Sequence, residues 1–142
     1  MATADDLANI PLFDSLSESD LEELATWFDV QTVGEGAKLT IEGTAGYSFY
    51  VLMEGNAVVT VEDATVATYV PGDFFGEMAI LGGTPRSATV TTTSPSRLLF
   101  MFGTEFRRLE QGQPAIAARL EAVMRQRQEE LLQLRQGASA QS

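Results

Sequence analysis

The middle of the chain alternates between short runs of β-forming residues and turn residues, chiefly glycine. Strands this short, with a turn signal about every eight to twelve residues, are typical of a β-sandwich or barrel and disfavour alternating βαβ units. A further strand end is expected at Phe74-Phe75. The runs cover residues 28–33, 37–42, 47–53, 56–62, 64–70, 87–93 and 96–102. The chain is therefore expected to be mainly β.

Helical patterns precede the β region, in residues 1–27. Asp5 or Asp6 can cap a short first helix that ends near Pro11, and Ser17 opens a second helix. The second helix is expected to present one apolar face, formed by Leu21, Leu24 and Phe28.

Two further helices are expected after the β domain of residues 28–102. Thr104 can cap the first, and Pro114 is well placed in the first turn of the second, which is expected to end near Gln136. The C-terminal helices thus span residues 103–136, and residues 137–142 are expected to form a flexible tail.

Composition narrows the classes of function. The 20 acidic residues against 9 basic ones give a formal charge of −11, which disfavours binding to nucleic acid or to an anionic membrane surface. Without histidine, imidazole-ligated metal sites and Ser-His or Cys-His catalysis are excluded, so no metal and no enzyme activity are expected. The absence of cysteine favours a cytoplasmic location, and no apolar run approaches the ~20 residues of a membrane span.

The segment Gly72–Val90 contains one cation among small residues. Arg86 is the only Lys or Arg between Lys38 and Arg97. Small neighbours let backbone N–H groups approach a ligand, and a short helix start beside a fixed guanidinium makes an anion site of modest size. Taken alone, Arg86 could instead form an ion pair with Glu77 or Asp73 on a solvated loop.

The same segment resembles the phosphate-binding cassette of cyclic nucleotide-binding domains. The resemblance lies in Phe75-Gly76-Glu77-Met78-Ala79 and in Pro85-Arg86-Ser87-Ala88-Thr89-Val90, at the spacing of the family. Glu42-Gly43, Gly46, Tyr50-Val51-Leu52 and Gly55 extend it into the preceding strands. It implies an eight-stranded jelly-roll barrel with an N-terminal helical hairpin, a short cassette helix and two C-terminal helices.

The resemblance assigns roles to the cassette residues. Arg86 would hold the cyclic phosphate with its planar fork, and Glu77 would accept a hydrogen bond from the ribose 2′-hydroxyl. Gly76, Met78 and Ala79 would begin the cassette helix, whose free N–H groups favour the anion. The alternative for Glu77 is a capping carboxylate.

Ser87 bears on the choice of nucleotide. In the family, Ala at this position accompanies cAMP selectivity in kinase subunits and Thr accompanies cGMP selectivity, whereas bacterial cAMP-binding members also carry Ser. The resemblance therefore favours cAMP as the ligand, with cGMP as the alternative.

Further residues are candidates for contact with the base. Val59 and Val61 share a strand face and would line the pocket or simply pack the core. On the final helix, Arg127 interrupts an apolar stripe and would either cover the base or lie at the edge of a helix pair, with Met124 as an alternative cap. The stripe consists of Ile116, Leu120, Val123, Leu131 and Leu134.

The sequence thus predicts a non-catalytic cyclic nucleotide sensor that signals through its C-terminal helix. Its expected partners are the nucleotide and an unidentified effector domain or protein, and a homodimer through the C-terminal helix is compatible with the stripe. One alternative is a ligand-independent interaction module with a degenerate pocket. Another is a carboxylate-based hydrolase, which Glu77, Asp73 and Asp63 are too dispersed to support.

Overall fold

The computed structural model of the chain describes residues 2–14, 16–40, 48–76 and 88–141, without the side chains of residues 127, 128 and 130–141. These residues form two antiparallel sheets with helices at both ends of the chain. The strands are β1 (Asp29–Val33), β2 (Lys38–Thr40), β3 (Ser48–Glu54), β4 (Ala57–Val61), β5 (Ala64–Tyr69), β6 (Phe74–Phe75), β7 (Thr89–Thr92) and β8 (Ser96–Phe102).

The strand order is that of a jelly roll. One sheet has the order β1-β8-β3-β6 and the other β2-β7-β4-β5, so strands from the two ends of the β region pair with each other. β1 pairs with β8 from Asp29↔Phe100 to Val33↔Ser96, and β4 pairs with both β5 and β7. The expectation of a mainly β chain is confirmed.

Four α-helices and one 3-10 turn lie within the described residues. They are α1 (Ala4–Ala8), the 3-10 turn (Pro11–Phe13), α2 (Glu18–Ala25), α3 (Gly103–Gly112) and α4 (Pro114–Gln141). None of the helices in the described part of the chain is long and apolar enough to cross a membrane.

The caps at the N-terminal helices differ in part from expectation. Ser17 caps α2 as predicted, because its Oγ accepts the Asp20 N–H at 3.2 Å. For α1, the prediction of Asp5 or Asp6 is wrong, since Thr3 is the cap. Its Oγ1 accepts the Asp6 N–H at 3.3 Å while the Asp6 carboxylate accepts the Thr3 N–H at 2.8 Å. This reciprocal capping box satisfies two free donors at once.

The C-terminal helices also differ from expectation at their ends. Thr104 does not cap α3, because β8 leads directly into the helix at Gly103 and Glu105 accepts the N–H of Phe102 at 3.2 Å. α4 begins at Pro114 as predicted but continues through Gln141, so the expected end near Gln136 is corrected.

Hydrophobic side chains pack on both faces of the sheet β1-β8-β3-β6. Because side chains alternate along a strand, Phe49 and Val51 of β3 face the helices, whereas Leu52 faces the other sheet. The helix-lined cluster joins N-terminal residues such as Phe13 and Leu24 to C-terminal residues such as Phe106, Leu109, Ile116, Leu120 and Met124. The two helical segments therefore share one core.

Candidate functional site

The turn between β5 and β6 opens the predicted ligand-binding segment and is held on β3. The N–H of Gly72 donates to the carbonyl of Leu52 at 2.8 Å, and the N–H of Leu52 donates to the carbonyl of Asp73 at 2.9 Å. The Asp73 carboxylate also accepts the N–H of Val70 at 2.8 Å. These bonds fix the path of the chain into β6.

Gly76 ends β6 in a conformation that favours glycine. Its φ is +78°, in the left-handed region where a side chain is strained, and the residue is half-buried. The positive φ ends the extended backbone of β6 immediately after Phe75. The glycine predicted to open the cassette thus has a backbone reason to be glycine, independent of any ligand.

Most of the predicted ligand contacts lie outside the part of the chain that the structure describes. Glu77, Met78, Ala79, Arg86 and Ser87 lie outside the described residues, as do the cassette helix and the side chain of Arg127. Glu42, Gly43 and Gly46 also lie outside them, as do the side chains of Leu131 and Leu134. Their roles stay predictions.

The far end of the segment is attached to the second sheet. The carbonyl of Ala88 accepts a hydrogen bond from Oγ1 of the buried Thr40 at 3.2 Å. Thr89 then starts β7, which pairs with β2 and β4. Gly76 and Ala88 therefore bracket residues 77–87 between one strand of each sheet.

The two candidate base-lining residues, Val59 and Val61, differ in their burial. Val59 is 6% exposed and belongs to the inter-sheet cluster that includes Phe75 and Val90. Val61, two residues further along β4, is only half-buried. Val59 therefore packs the core near the end of β6, and Val61 lies beside the turn of the β4–β5 hairpin, where it pairs with Ala64.

Met124 lies on the other side of the first sheet. It is fully buried in the helix-lined cluster, with Ile116 and Leu120 of the same helix. Val123 is half-buried against that cluster. This packing accounts for the burial of Met124 without a ligand.

A cavity of about 370 Å³ lies between α1, the end of β3 and the β5–β6 turn. Its charged lining consists of Asp5, Asp6, Glu54 and Arg97. Arg97 is held by both acids it faces, with Nη2–Asp6 Oδ1 at 3.6 Å and Nη1–Glu54 Oε1 at 3.8 Å. An excess of carboxylates repels phosphate, so this cavity does not fit a nucleotide.

The described residues hold no cluster of three or more acidic side chains placed to bind a metal ion. Two tyrosines, Tyr50 and Tyr69, stack their rings on Phe75, a contact that was not predicted for either of them. The alternation of β3 places Tyr50 and Leu52 on one face and could have indicated the first of them. Nothing in the spacing of β5 indicates the second.

Comparison with known proteins places the chain in a family. The family model "cyclic nucleotide-binding domain" matches residues 30–113, which include the whole segment Gly72–Val90. The fold is similar to that of the regulatory domain of Toxoplasma gondii PKA crystallised with cAMP, with a TM-score of 0.75 and 22% identity over 89% of this chain and 48% of that one.

Curated relatives show the same family. The chain is 34% identical to a cyclic nucleotide-gated potassium channel of Rhizobium etli, over 78% of this chain and 31% of the channel. It is 33% identical to a cAMP-dependent protein kinase regulatory subunit of Hypocrea atroviridis, over 72% of this chain and 22% of the subunit. The match thus spans about a third or less of each relative. The chain belongs to the cyclic nucleotide-binding domain family.

Proposed function

We propose that the chain binds cAMP in the segment Gly72–Val90 and acts as a non-catalytic regulatory domain. The observation that carries this proposal is the family match over residues 30–113, within which the sequence agrees with the cassette motif at nearly every position. Family members whose pockets have degenerated commonly lose the acid or the arginine, and both Glu77 and Arg86 are present here.

Arg86 supplies the charge that the phosphate needs. A guanidinium forms two parallel hydrogen bonds to phosphate oxygens, which fixes orientation as well as charge. The N–H groups of Ala79 and Ser87 complete the anion site, and the carboxylate of Glu77 accepts a hydrogen bond from the ribose 2′-hydroxyl. The described ends of the segment support this arrangement, because Phe75 pairs with Tyr50 of β3 and Ala88 accepts a hydrogen bond from Thr40 of β2.

The base would rest against the β4–β5 hairpin. Val61 is half-buried there and available as an apolar wall, whereas Val59 supports it from the core. Arg127 on α4 is the proposed cover of the base, with Met124 as the alternative that its burial disfavours. The relatives named above include a cAMP-dependent kinase subunit, which supports cAMP; a preference for cGMP is the competing proposal.

The proposed output is a change in the position of α4. A ligand shifts the equilibrium between two positions of a helix only if it binds the protein more tightly in one of them. A contact between Arg127 of α4 and the base, made in one position of α4 and absent in the other, would supply that difference in affinity. α4 shares its core with the N-terminal helices, so its movement would reach them. An effector protein or domain, or a second copy bound through α4, would read the change.

Calorimetric titration of the purified chain with cAMP, cGMP and 5′-AMP tests ligand and selectivity together. We expect micromolar or tighter binding of cAMP, at least tenfold weaker binding of cGMP and no measurable binding of 5′-AMP. Recovery of unhydrolysed cAMP after incubation supports a non-catalytic role. Binding of no nucleotide, with a dimer of constant size, would favour the ligand-independent interaction module.

Tryptophan fluorescence tests the movement of α4 separately from ligand binding. Trp27 is the chain's single tryptophan, is half-buried and packs against the helix-lined cluster, with its Nε1 donating to Glu23 at 3.4 Å. Saturating cAMP should therefore change tryptophan emission. An unchanged emission at a concentration that calorimetry shows to be saturating would contradict helix repositioning but not ligand binding.

A further inference from the structure

The ring of Phe75 lies between two tyrosine rings. Its centroid is 5.1 Å from that of Tyr69, with an interplanar angle of 8°, and 5.2 Å from that of Tyr50, with an angle of 22°. Phe75 is 3% exposed, and both tyrosines are half-buried. Near-parallel contacts on both faces restrict the tilt and the translation of the central ring.

This stack acts at the C-terminal end of β6, beyond the hydrogen bonds that hold the β5–β6 turn on Leu52. β6 contains two residues and pairs with β3 only at Tyr50↔Phe75 and Val51↔Phe74. So short a ladder offers few hydrogen bonds to fix the end of the strand. The three rings join β5, β6 and β3 at this point and add the restraint that the ladder lacks.

Gly76 follows Phe75 directly, and its φ of +78° ends the extended backbone of β6. A shift or rotation of Phe75 is therefore passed to the start of the proposed phosphate-binding segment. Binding groups must be held within about 0.5 Å of their productive positions to keep affinity.

We propose that Tyr69, Phe75 and Tyr50 form a positioning stack that sets the affinity of the cassette for the cyclic phosphate. The inference rests on the proposed function, since it concerns how the same site is held. The stack acts through the backbone of Gly76 and makes no contact with phosphate itself.

Phe74 provides a matched control on the same strand. It is the neighbour of Phe75 but points to the opposite face, where its ring is 5.8 Å from that of Phe49 in the helix-lined cluster. Phe74→Leu therefore removes the same ring from the same two-residue strand and leaves the stack in place.

The test measures cAMP affinity by calorimetry and stability by urea unfolding in parallel. We expect Phe75→Leu and Tyr69→Leu each to weaken affinity at least tenfold. The double variant should lose little more than either alone, because both break one stack. Tyr69→Phe keeps the ring, so its affinity for cAMP should be within twofold of that of wild type. Phe74→Leu should also keep its affinity for cAMP within twofold, although its stability is expected to be lower.

Two results would overturn the inference while leaving the proposed function intact. One is wild-type affinity in Phe75→Leu and Tyr69→Leu; the other is an equal loss of affinity in Phe74→Leu, which would make the effect one of general stability. Should Phe75→Leu fail to fold, the half-buried Tyr69 carries the test. A wild type that binds neither cAMP nor cGMP would overturn the proposed function, and the inference with it.

Discussion

Arg119 of α4 donates a hydrogen bond to Asp20 of α2, with Nη1 and Oδ2 3.3 Å apart. The pair joins α2 to α4 through two residues that lie 99 positions apart in the chain. Both side chains are partly exposed, at 53% and 28%, so solvent screens the interaction. The contact marks where the N-terminal and C-terminal helical segments meet, and the apolar cluster beneath it holds them together.

The contributions of the Arg119–Asp20 ion pair and of the apolar cluster to the free energy of unfolding can be measured separately. Asp20→Asn should lower the free energy of unfolding by less than about 1 kcal/mol, as is usual for an exposed ion pair. Met124→Ala should lower it by about 2–5 kcal/mol, because Met124 is fully buried and its loss leaves a cavity. Urea denaturation of both variants checks the order; an Asp20→Asn loss that equals that of Met124→Ala would contradict it.

A second prediction concerns the turn between β3 and β4. Gly55 has a φ of +96°, and a Cβ there would lie 2.7 Å from the carbonyl oxygen of Pro95. Gly55→Ala should therefore destabilise the fold by more than about 1 kcal/mol. Gly112 in α3 has open space around it and no positive φ, so Gly112→Ala should be neutral or stabilising by up to about 1 kcal/mol.

Thermal unfolding of the two glycine variants provides the comparison. The account of the β3–β4 turn fails if Gly55→Ala unfolds at the same temperature as wild type. A destabilised Gly112→Ala would show that alanine is poorly tolerated for reasons other than backbone strain.

The sequence predicted the strand pattern well because local signals determine it. Alternating apolar residues and turn glycines located β3, β4, β5 and β8 to within about two residues. For the starts of the helices, the presence of a capping residue correctly predicted Ser17 but wrongly predicted Asp5 or Asp6. Several polar residues compete as caps there, and the choice of Thr3 depends on a reciprocal bond with Asp6 that spacing alone does not reveal.

The sequence indicated which residues belong to the site, but it did not indicate the aromatic contacts that hold the start of the site in place. The positive φ of Gly76 agrees with its motif position, and Val59 was expected to have either of two roles. The contact of Tyr69 with Phe75 depends on a turn that folds β5 back beside β6, which is a tertiary relationship. No local pattern in the sequence encodes it.

Glu77 is predicted to recognise the ribose. If its carboxylate accepts the 2′-hydroxyl, wild type should bind 2′-deoxy-cAMP at least fivefold more weakly than cAMP. Glu77→Ala should bind the two ligands alike, because the partner of the hydroxyl is gone. Competition with a fluorescent cyclic nucleotide measures both ratios; a variant that keeps the wild-type discrimination would assign the hydroxyl to another group.

The most direct test of the account is the affinity of Arg86→Lys for cAMP. Lysine keeps the positive charge but lacks the planar fork, so calorimetry should show at least a tenfold loss of affinity, about 1.4 kcal/mol. Arg97→Lys is the matched control, since Arg97 is held by Asp6 and Glu54 on another part of the barrel, and it should bind as wild type does. Undiminished cAMP binding by Arg86→Lys would contradict the central claim that this guanidinium holds the cyclic phosphate.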